Sequence, residues 1–423
     1  MPSAPVNHLG SIPPKRVVVV GAGMVGLSTA WFLQEHGVDV TVVDRAGVGA
    51  GSSWGNAGWL SPGKVTPLPE PDVLRYSLRA LFDPSASLSV PPSVDLALWR
   101  FLARFAKRCT RAQWRRAMQG YLAITRESLD VFDELSRGGV TAVTKKAPIM
   151  ACFETSEQAA HYRREIENVV SVGQPLDVTE LSAEAARGIV SQIGDRVQLV
   201  IQLNGQRYID PGDFVTRLGD SVVARGAAVL TGFSVRSLRQ GAAGVTVESS
   251  GGDSLRADAV VLATGAWLNQ LARPFGVRMP VQAGRGYSLS VKTDEPVAAP
   301  IYLPTARVAC TPYRDGLRIG GTMEFRSADH PLVPARVDAL LSSARPWLSG
   351  VQWRTVSDFW VGPRPVSADG MPLIGATRSA KVFVAGGHGM WGVTLGPVTG
   401  KLLASQIVSG RSPDALSAFN PLR

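Results

Sequence analysis

The sequence predicts an α/β fold in which a parallel, doubly wound sheet is interleaved with an α+β portion built on a large antiparallel sheet. Three observations predict it. The chain opens with a strand, a glycine turn, a helix and a second strand between residues 16 and 44. A second glycine-rich strand-to-helix junction lies near 382–410, and residues 277–325 alternate with period two around turn residues such as Arg314-Asp315-Gly316. With 423 residues, 45 % hydrophobic and 18 % charged, the chain has the length of two or three domain-sized units and the apolar content for a large core. That composition excludes disorder, and glycines without a period of three exclude a collagen-like chain. No run reaches the roughly 18 apolar residues of a membrane span.

Arg16–Val20 is a β-branched run ending in Gly21-Ala22-Gly23-Met24-Val25-Gly26. Leu27–His36 is helical in pattern and stops at Gly37, a natural residue for a helix end. Val38–Val43 returns to strand and ends on Asp44, and Gly49–Gly63, rich in Gly, Ser and Asn, reads as a long functional loop. Residues 64 to about 200 are more charged and mostly helical in pattern. An amphipathic segment at Gly212–Arg225 precedes strand-like Ala228–Val235 and Val245–Glu248. Ala259–Ala263 is an apolar run of strand length ahead of Thr264-Gly265-Ala266. Val337–Leu348 predicts another helix; Val382–Ala385 predicts a buried strand before Gly386-Gly387-His388-Gly389 and a last helix to about Gly410.

Cys109, Cys152 and Cys310 lie too far apart for a disulfide framework or a zinc spacing, which fits a reducing compartment. Met1–Lys15 lacks the basic-then-apolar order of a secretory leader, so a cytoplasmic location is expected. The formal charge of +10 comes mostly from singly scattered Arg, and nucleic acid is not an expected partner.

The six residues 21–26 have a physical reading. Gly21 permits the tight turn, Gly23 lets backbone approach a pyrophosphate, and Gly26 allows close helix–strand packing. The helix N-terminus then offers its positive end to phosphates, and Asp44 can accept hydrogen bonds from a ribose diol. A nicotinamide-binding chain would continue directly into its second mononucleotide half. Here a loop and a long helical insertion intervene, a layout that favours FAD.

Further pieces run in order along the chain: Gly51-Ser52-Ser53-Trp54-Gly55-Asn56-Ala57-Gly58, Tyr208-Ile209-Asp210-Pro211, Ala263-Thr264-Gly265-Ala266-Trp267, Arg285-Gly286-Tyr287-Ser288-Leu289. Then come Leu317–Glu324, Gly362-Pro363-Arg364-Pro365, Asp369–Gly375 and Gly387-His388-Gly389-Met390-Trp391-Gly392. With these the chain resembles the D-amino-acid oxidase/glycine oxidase superfamily of FAD-dependent oxidoreductases, and within it bacterial D-amino-acid dehydrogenases and the similar glyphosate oxidoreductases. The resemblance implies a Rossmann-like FAD-binding domain of the glutathione-reductase type from residues 1–62, 200–270 and 356–423. It implies a substrate-binding domain from 63–199 and 271–355. It also implies that Ser52, Ser53, Asn56, Ala57 and Gly58 line a flavin loop and that Arg45 lies beside Asp44 at the cofactor. Val235 would face the adenine, and Ala263, Thr264, Gly265 and Trp267 the phosphoribosyl side. Gly387, His388, Gly389, Met390, Trp391, Gly392, Val393 and Thr394 would bring backbone N–H groups and a helix N-terminus to the pyrimidine end of the flavin, where negative charge develops on reduction. No Cys follows Cys310 and no His lies between His36 and His161, so the linking residues of relatives with covalent flavin are missing and noncovalent FAD is expected.

Flavin-dependent amine oxidation needs no metal and no covalent nucleophile; it needs a neutral amine with its Cα–H over flavin N5 and a fixed carboxylate. Arg364, stiffened by Pro363 and Pro365, is the expected carboxylate clamp, because Arg alone offers a planar bidentate fork. Tyr287 either hydrogen-bonds the substrate or is a core phenol. His388 either donates to the flavin or shapes a backbone turn. Arg285 stands where D-amino-acid dehydrogenases often carry Lys, and Met390, Trp391, Trp54 and Trp59 either narrow the pocket or belong to the core.

Residues 93–116 predict one basic amphipathic helix, capped by Ser93, with Asp95 in its first turn. Arg100, Arg104, Lys107, Arg108, Arg111 and Arg115 fall in one arc opposite Trp99, Phe101, Leu102, Phe105, Ala106 and Cys109. Such a helix either packs on its own domain or makes a peripheral contact with the inner face of the cell membrane. The expected activity is oxidative deamination of an amino acid, a D-amino acid first, by hydride transfer from Cα to flavin N5. The imine hydrolyses to a 2-oxo acid and ammonia, and oxygen or a quinone takes the electrons. Oxidation of a secondary amine (sarcosine, a D-proline derivative, an N-substituted glycine such as glyphosate) is the alternative within the class. A tRNA-modifying flavoprotein is the alternative outside it.

Overall fold

The computed structural model describes residues 13–73 and 88–423. Its first sheet has six strands in the order Ala228–Leu230, Asp39–Val43, Arg16–Val20, Ala259–Leu262, Val382–Gly386, Leu373–Ala376. All neighbours are parallel except the last pair. Strand Arg16–Val20 is central because four of its five residues are Val, buried on both faces as a parallel sheet requires. Helix Met24–Glu35 follows the glycine turn and ends at His36, with Gly37 in the left-handed region (φ 73°). It packs against the last helix, Gly392–Ser409, at glycine contacts. A Cβ on Gly400 would lie 2.6 Å from the Ser28 carbonyl carbon, and one on Gly396 2.7 Å from Met24 Cγ.

The second sheet has nine strands and is mixed but mostly antiparallel. Its floor is Val281–Lys292 between Ser357–Ser367 and Gly316–Phe325, continued by Val308–Tyr313 and Ile301–Leu303. The antiparallel expectation for 277–325 holds. Strands Ile149–Phe153, Val178–Ser182 and Leu199–Leu203 extend the sheet from a stretch whose pattern reads as helical. Ile149–Phe153 is buried at all five positions, so no alternation marks it as a strand. Strands Leu199–Leu203 and Ser357–Ser367 carry this sheet past the expected domain boundaries at 199/200 and 355/356.

The basic segment corrects the one-helix expectation. It forms two helices, Leu96–Arg108 and Arg111–Thr125, broken at Cys109 where Thr110 caps the second through the Gln113 N–H. Asp95, not Ser93, is the first cap, accepting from the N–H groups of Ala97 and Leu98. The apolar face of the first helix is occupied: Phe101 and Phe105 pack on Phe325 with ring centroids 5.3 and 6.0 Å apart. Among the described residues no helix is long and apolar enough to cross a membrane.

Candidate active site

Two cavities meet between the sheets, and Asn56, Arg364 and Met390 line both. The narrower is a cleft over the C-terminal edge of the parallel sheet, the usual ligand position in such folds. Gly21 has φ 113°, and a Cβ there would sit 2.4 Å from the Ala263 carbonyl oxygen. A Cβ on Gly26 would meet Gly21 O at 1.9 Å, so this glycine serves helix–strand packing as expected. No side chain caps helix Met24–Glu35 from Gly23, and the Met24 N–H donates to Ser53 Oγ at 3.1 Å. The cleft keeps Val25 as well as Gly21, Gly23 and Met24 on its wall.

Asp44 sits at the cleft and also organises its loop. One carboxylate oxygen accepts the Ala22 N–H at 2.9 Å; the other accepts Ala46 and Gly47 N–H at 2.8 and 3.0 Å. Val235, Ala263, Thr264, Gly265, Ser52 and Ser53 line the same cleft. At its mouth the Arg45 guanidinium lies 3.9 Å over the Trp267 ring. Asp329, which the sequence reading missed, binds both: Arg45 at 2.8 Å and the Trp267 indole N–H at 3.0 Å. These hydrogen bonds, with burial acting against them, hold the Asp329 carboxyl below the usual range.

Loop 50–58 is fixed from the larger sheet. Arg318 donates to the Trp54 carbonyl at 3.0 Å, Ser288 to Gly55 at 2.7 Å, and Thr311 to Ala57 at 2.6 Å. Asn56 Oδ1 accepts the Gly58 N–H at 2.9 Å, and Gly58 (φ 77°) packs against Ile209. Ser52 donates to the Pro363 carbonyl, tying the loop to the Arg364 strand.

The far wall of the cleft is the turn before the last helix. His388, Gly389, Met390, Gly392 and Val393 line it, whereas Trp391 faces the other cavity. Gly387 and Gly389 take φ of 74° and 57°. The Gly389 N–H donates to the Pro365 carbonyl at 2.8 Å, but no side chain caps the helix that starts at Gly392, whose first residues, Gly392 and Val393, line the cleft. Thr394 instead donates to the Trp59 carbonyl at 2.9 Å. His388 is buried, paired with Thr399 Oγ1 at 2.9 Å; burial pushes its pKa down to about 3, so the imidazole is neutral at physiological pH. An uncapped helix end, glycines with no room for a Cβ and an acid at the second strand's end fit a flavin dinucleotide.

Arg364 stands where the cavities join. Its Nη1 donates to the Thr322 carbonyl at 3.0 Å, and among the described residues no carboxylate pairs with it. Burial draws its pKa down to about 10, so it stays a cation at neutral pH. Two features make its position. Gly286 clears the space, because a Cβ there would sit 2.1 Å from the Arg364 guanidinium carbon. A bulge between Arg285 and Tyr287 accompanies Thr322 at φ 51°, a left-handed conformation that a β-branched residue rarely adopts and that marks stored strain. Gly286 and Thr322 lie within motifs the sequence shows, but neither position announces its role.

Tyr287 is buried and donates to Glu324 at 2.6 Å; burial first, then that carboxylate, push its phenol up to about 12. Glu324 also pairs with fully buried Arg285 at 3.1 Å, and Arg285 donates to the Pro331 carbonyl at 2.9 Å. Arg285 is therefore part of the sheet interior. Tyr287 presents its ring to the larger chamber with its proton already engaged.

Fold and site together define an FAD-dependent oxidoreductase. The model of the DAO family, FAD dependent oxidoreductases, matches residues 16–406, and the chain belongs to that family. It is 30 % identical over 406 residues to a D-amino acid dehydrogenase of Xanthobacter autotrophicus, covering 94 % of this chain and 96 % of that one. It is 31 % identical over 408 residues to a D-amino acid dehydrogenase of Methylobacterium radiotolerans, covering 95 % and 97 %. Its fold is similar to that of glycine oxidase from Geobacillus kaustophilus, with a TM-score of 0.73 and 22 % identity over 98 % of this chain and 99 % of that one.

Proposed function

We propose that the chain catalyses oxidative deamination of an amino acid, a D-amino acid first. The observation that carries this reading is the Arg364 guanidinium, half-buried at the meeting of the two cavities and, among the described residues, without a carboxylate of its own. A buried cation lacking an acidic partner is costly, and a substrate carboxylate would supply the missing anion in bidentate form. Bound FAD supplies a two-electron acceptor for the hydride leaving Cα. Arg364 holds the carboxylate, Met390 and the Tyr287 ring bound the reacting carbon, and neutral His388 fixes the turn beside it. The resulting imine hydrolyses to a 2-oxo acid and ammonia. The full-length D-amino acid dehydrogenase relatives support the substrate class.

We take the flavin to be noncovalent, with most of 1–62, 200–270 and 356–423 forming its domain and 63–199 and 271–355 that of the substrate, whose sheet also takes in Leu199–Leu203 and Ser357–Ser367. Three free, buried cysteines support a reducing, cytoplasmic setting. Val94, Leu96 and Trp99 are exposed beside Arg100 and Arg104, which supports peripheral contact with an anionic membrane that would carry a quinone acceptor.

The test is anaerobic flavin reduction across D-, L- and N-alkyl amino acids, then reoxidation by oxygen or a quinone. Bleaching by D-amino acids, with all FAD released on acid precipitation, is the expected result. Bleaching by N-alkyl glycines alone would move the assignment to a secondary amine.

A further inference from the structure

Among the cations that line the larger chamber, which include Arg111, Arg115, Arg164 and Arg307, Lys64 stands out by its aromatic seat. Lys64 ends the short helical turn Pro62–Lys64 and is half-buried in the chamber wall. Its Nζ donates to Tyr162 Oη at 2.9 Å and stands 4.7 and 4.8 Å over the Tyr162 and Tyr302 rings. Among the described residues no carboxylate lies within ion-pair distance of it. Tyr162 is buried and Tyr302 half-buried, and removal from water raises both phenols, so neither supplies an anion at neutral pH.

The segment bearing Lys64 is tied to the turn beside the cleft. Trp391 Nε1 donates to the Thr66 carbonyl at 2.7 Å, and Thr394 donates to the Trp59 carbonyl at 2.9 Å. Lys64 thus belongs to the same chamber as Arg364, on a stretch held against the start of the last helix. The nearby acid, Glu70, is driven up to about 7 by burial, Glu165 and Asp72, with Arg307 and Lys64 pulling the other way, so at neutral pH it carries only part of a charge and makes no ion pair with the ammonium. Glu165 itself lies 3.4 Å from the His161 ring.

From this pair of unpartnered cations in one chamber we infer that the preferred substrate carries two anionic groups, the α-carboxylate on Arg364 and a second acidic group directed at Lys64. The inference rests on the amino-acid reading above and narrows it to amino diacids. A neutral side chain would leave the Lys64 ammonium desolvated by the substrate without compensation, whereas an acidic one converts its aromatic seat into an ion pair.

Two measurements test it. First, amine-free ligands are titrated against the FAD-loaded protein by flavin absorbance: glutarate and succinate against butyrate. Binding of the dicarboxylates at least about tenfold tighter, with that preference lost in Lys64→Met and partly kept in Lys64→Arg, is the expected result. This reading needs no turnover, so it stands even if no D-amino acid bleaches the flavin. Second, kcat/KM is compared for D-glutamate and D-aspartate against D-norvaline and D-alanine. The acidic-to-neutral ratio should fall at least about tenfold in Lys64→Met. Equal loss for both substrate types would make Lys64 a structural residue and overturn the inference. So would wild-type protein that binds mono- and dicarboxylates alike. Bleaching by neutral D-amino acids with no acidic preference would sink the inference and leave the amino-acid reading in place.

Discussion

The cleft and the chamber are built from different parts of the chain's chemistry. The cleft is largely backbone: glycines 21, 23 and 389 on its wall, two helix starts without a cap from their own N-cap residue, and a single acid that braces its own loop. The chamber is mostly side chains: Arg364, Lys64, Glu70, Tyr287 and a ring of aromatics from distant segments. A dinucleotide is recognised through phosphate and ribose, which every such ligand shares, so backbone suffices. A small amine substrate is recognised by charge and shape, which only side chains vary. The comparison predicts that damage to the cleft empties the protein, whereas damage to the chamber leaves it yellow and inert.

The largest expected effect lies in the cleft. Gly26→Ala forces a methyl group to 1.9 Å from Gly21 O, so the purified protein should lack flavin absorbance altogether. Full FAD content in this variant would show that the turn yields and would dissolve the contrast. Next comes Arg364→Lys, which keeps the charge but loses the fork; kcat/KM should fall by about two to three orders of magnitude with FAD content unchanged. An equal loss of FAD would merge the two regions into one site.

A smaller effect sharpens the boundary. Asp329 joins Arg45 to Trp267 across the cleft's mouth, so Asp329→Asn should raise the FAD dissociation constant by about three- to tenfold. Substrate KM at saturating FAD should not move; a change there would put Asp329 in the chamber's account. The smallest effect is on stability. The Glu70 carboxyl rises from 4.5 to about 7 in the folded chain, so the folded state keeps a proton that the unfolded state releases over that interval. Stability therefore falls as pH rises from about 4.5 to 7 and stays lower above. Glu70→Gln should be more resistant to urea than wild type at pH 8, by about 1–2 kcal/mol, and indistinguishable near pH 4.5.

The same contrast explains what could be read from the sequence. Gly21, Gly23, Gly26 and Asp44 lie within one local unit, and their spacing carries their geometry. Arg364 is legible through its flanking prolines and its motif. Gly286 is visible as a residue, but its purpose depends on a guanidinium from a strand about eighty residues later, paired through the register of Gly284 with Arg364. Lys64 sits in a loop without periodicity, and its aromatic seat comes from Tyr162 and Tyr302. The basic helix misled because a wheel treats 93–116 as continuous. Thr110 offers a better cap than a helix interior, and Phe101 and Phe105 of the hydrophobic arc pack inward while Trp99 stays exposed.

The six-stranded sheet places Val382–Gly386 next to Ala259–Leu262, and the helix that follows it lies along Met24–Glu35. The opening helix of this fold is thus seated by a helix more than 350 residues later in the chain. A nascent chain has no finished nucleotide cradle until residue 400 or so has emerged, because Gly400 is among the contacts that seat the opening helix. Until Val382–Gly386 has been made, strand Ala259–Leu262 has a partner on one side only. Closing of that sheet edge therefore waits for this last strand, and a polypeptide truncated before it and its helix would lack the far wall of the nucleotide cradle.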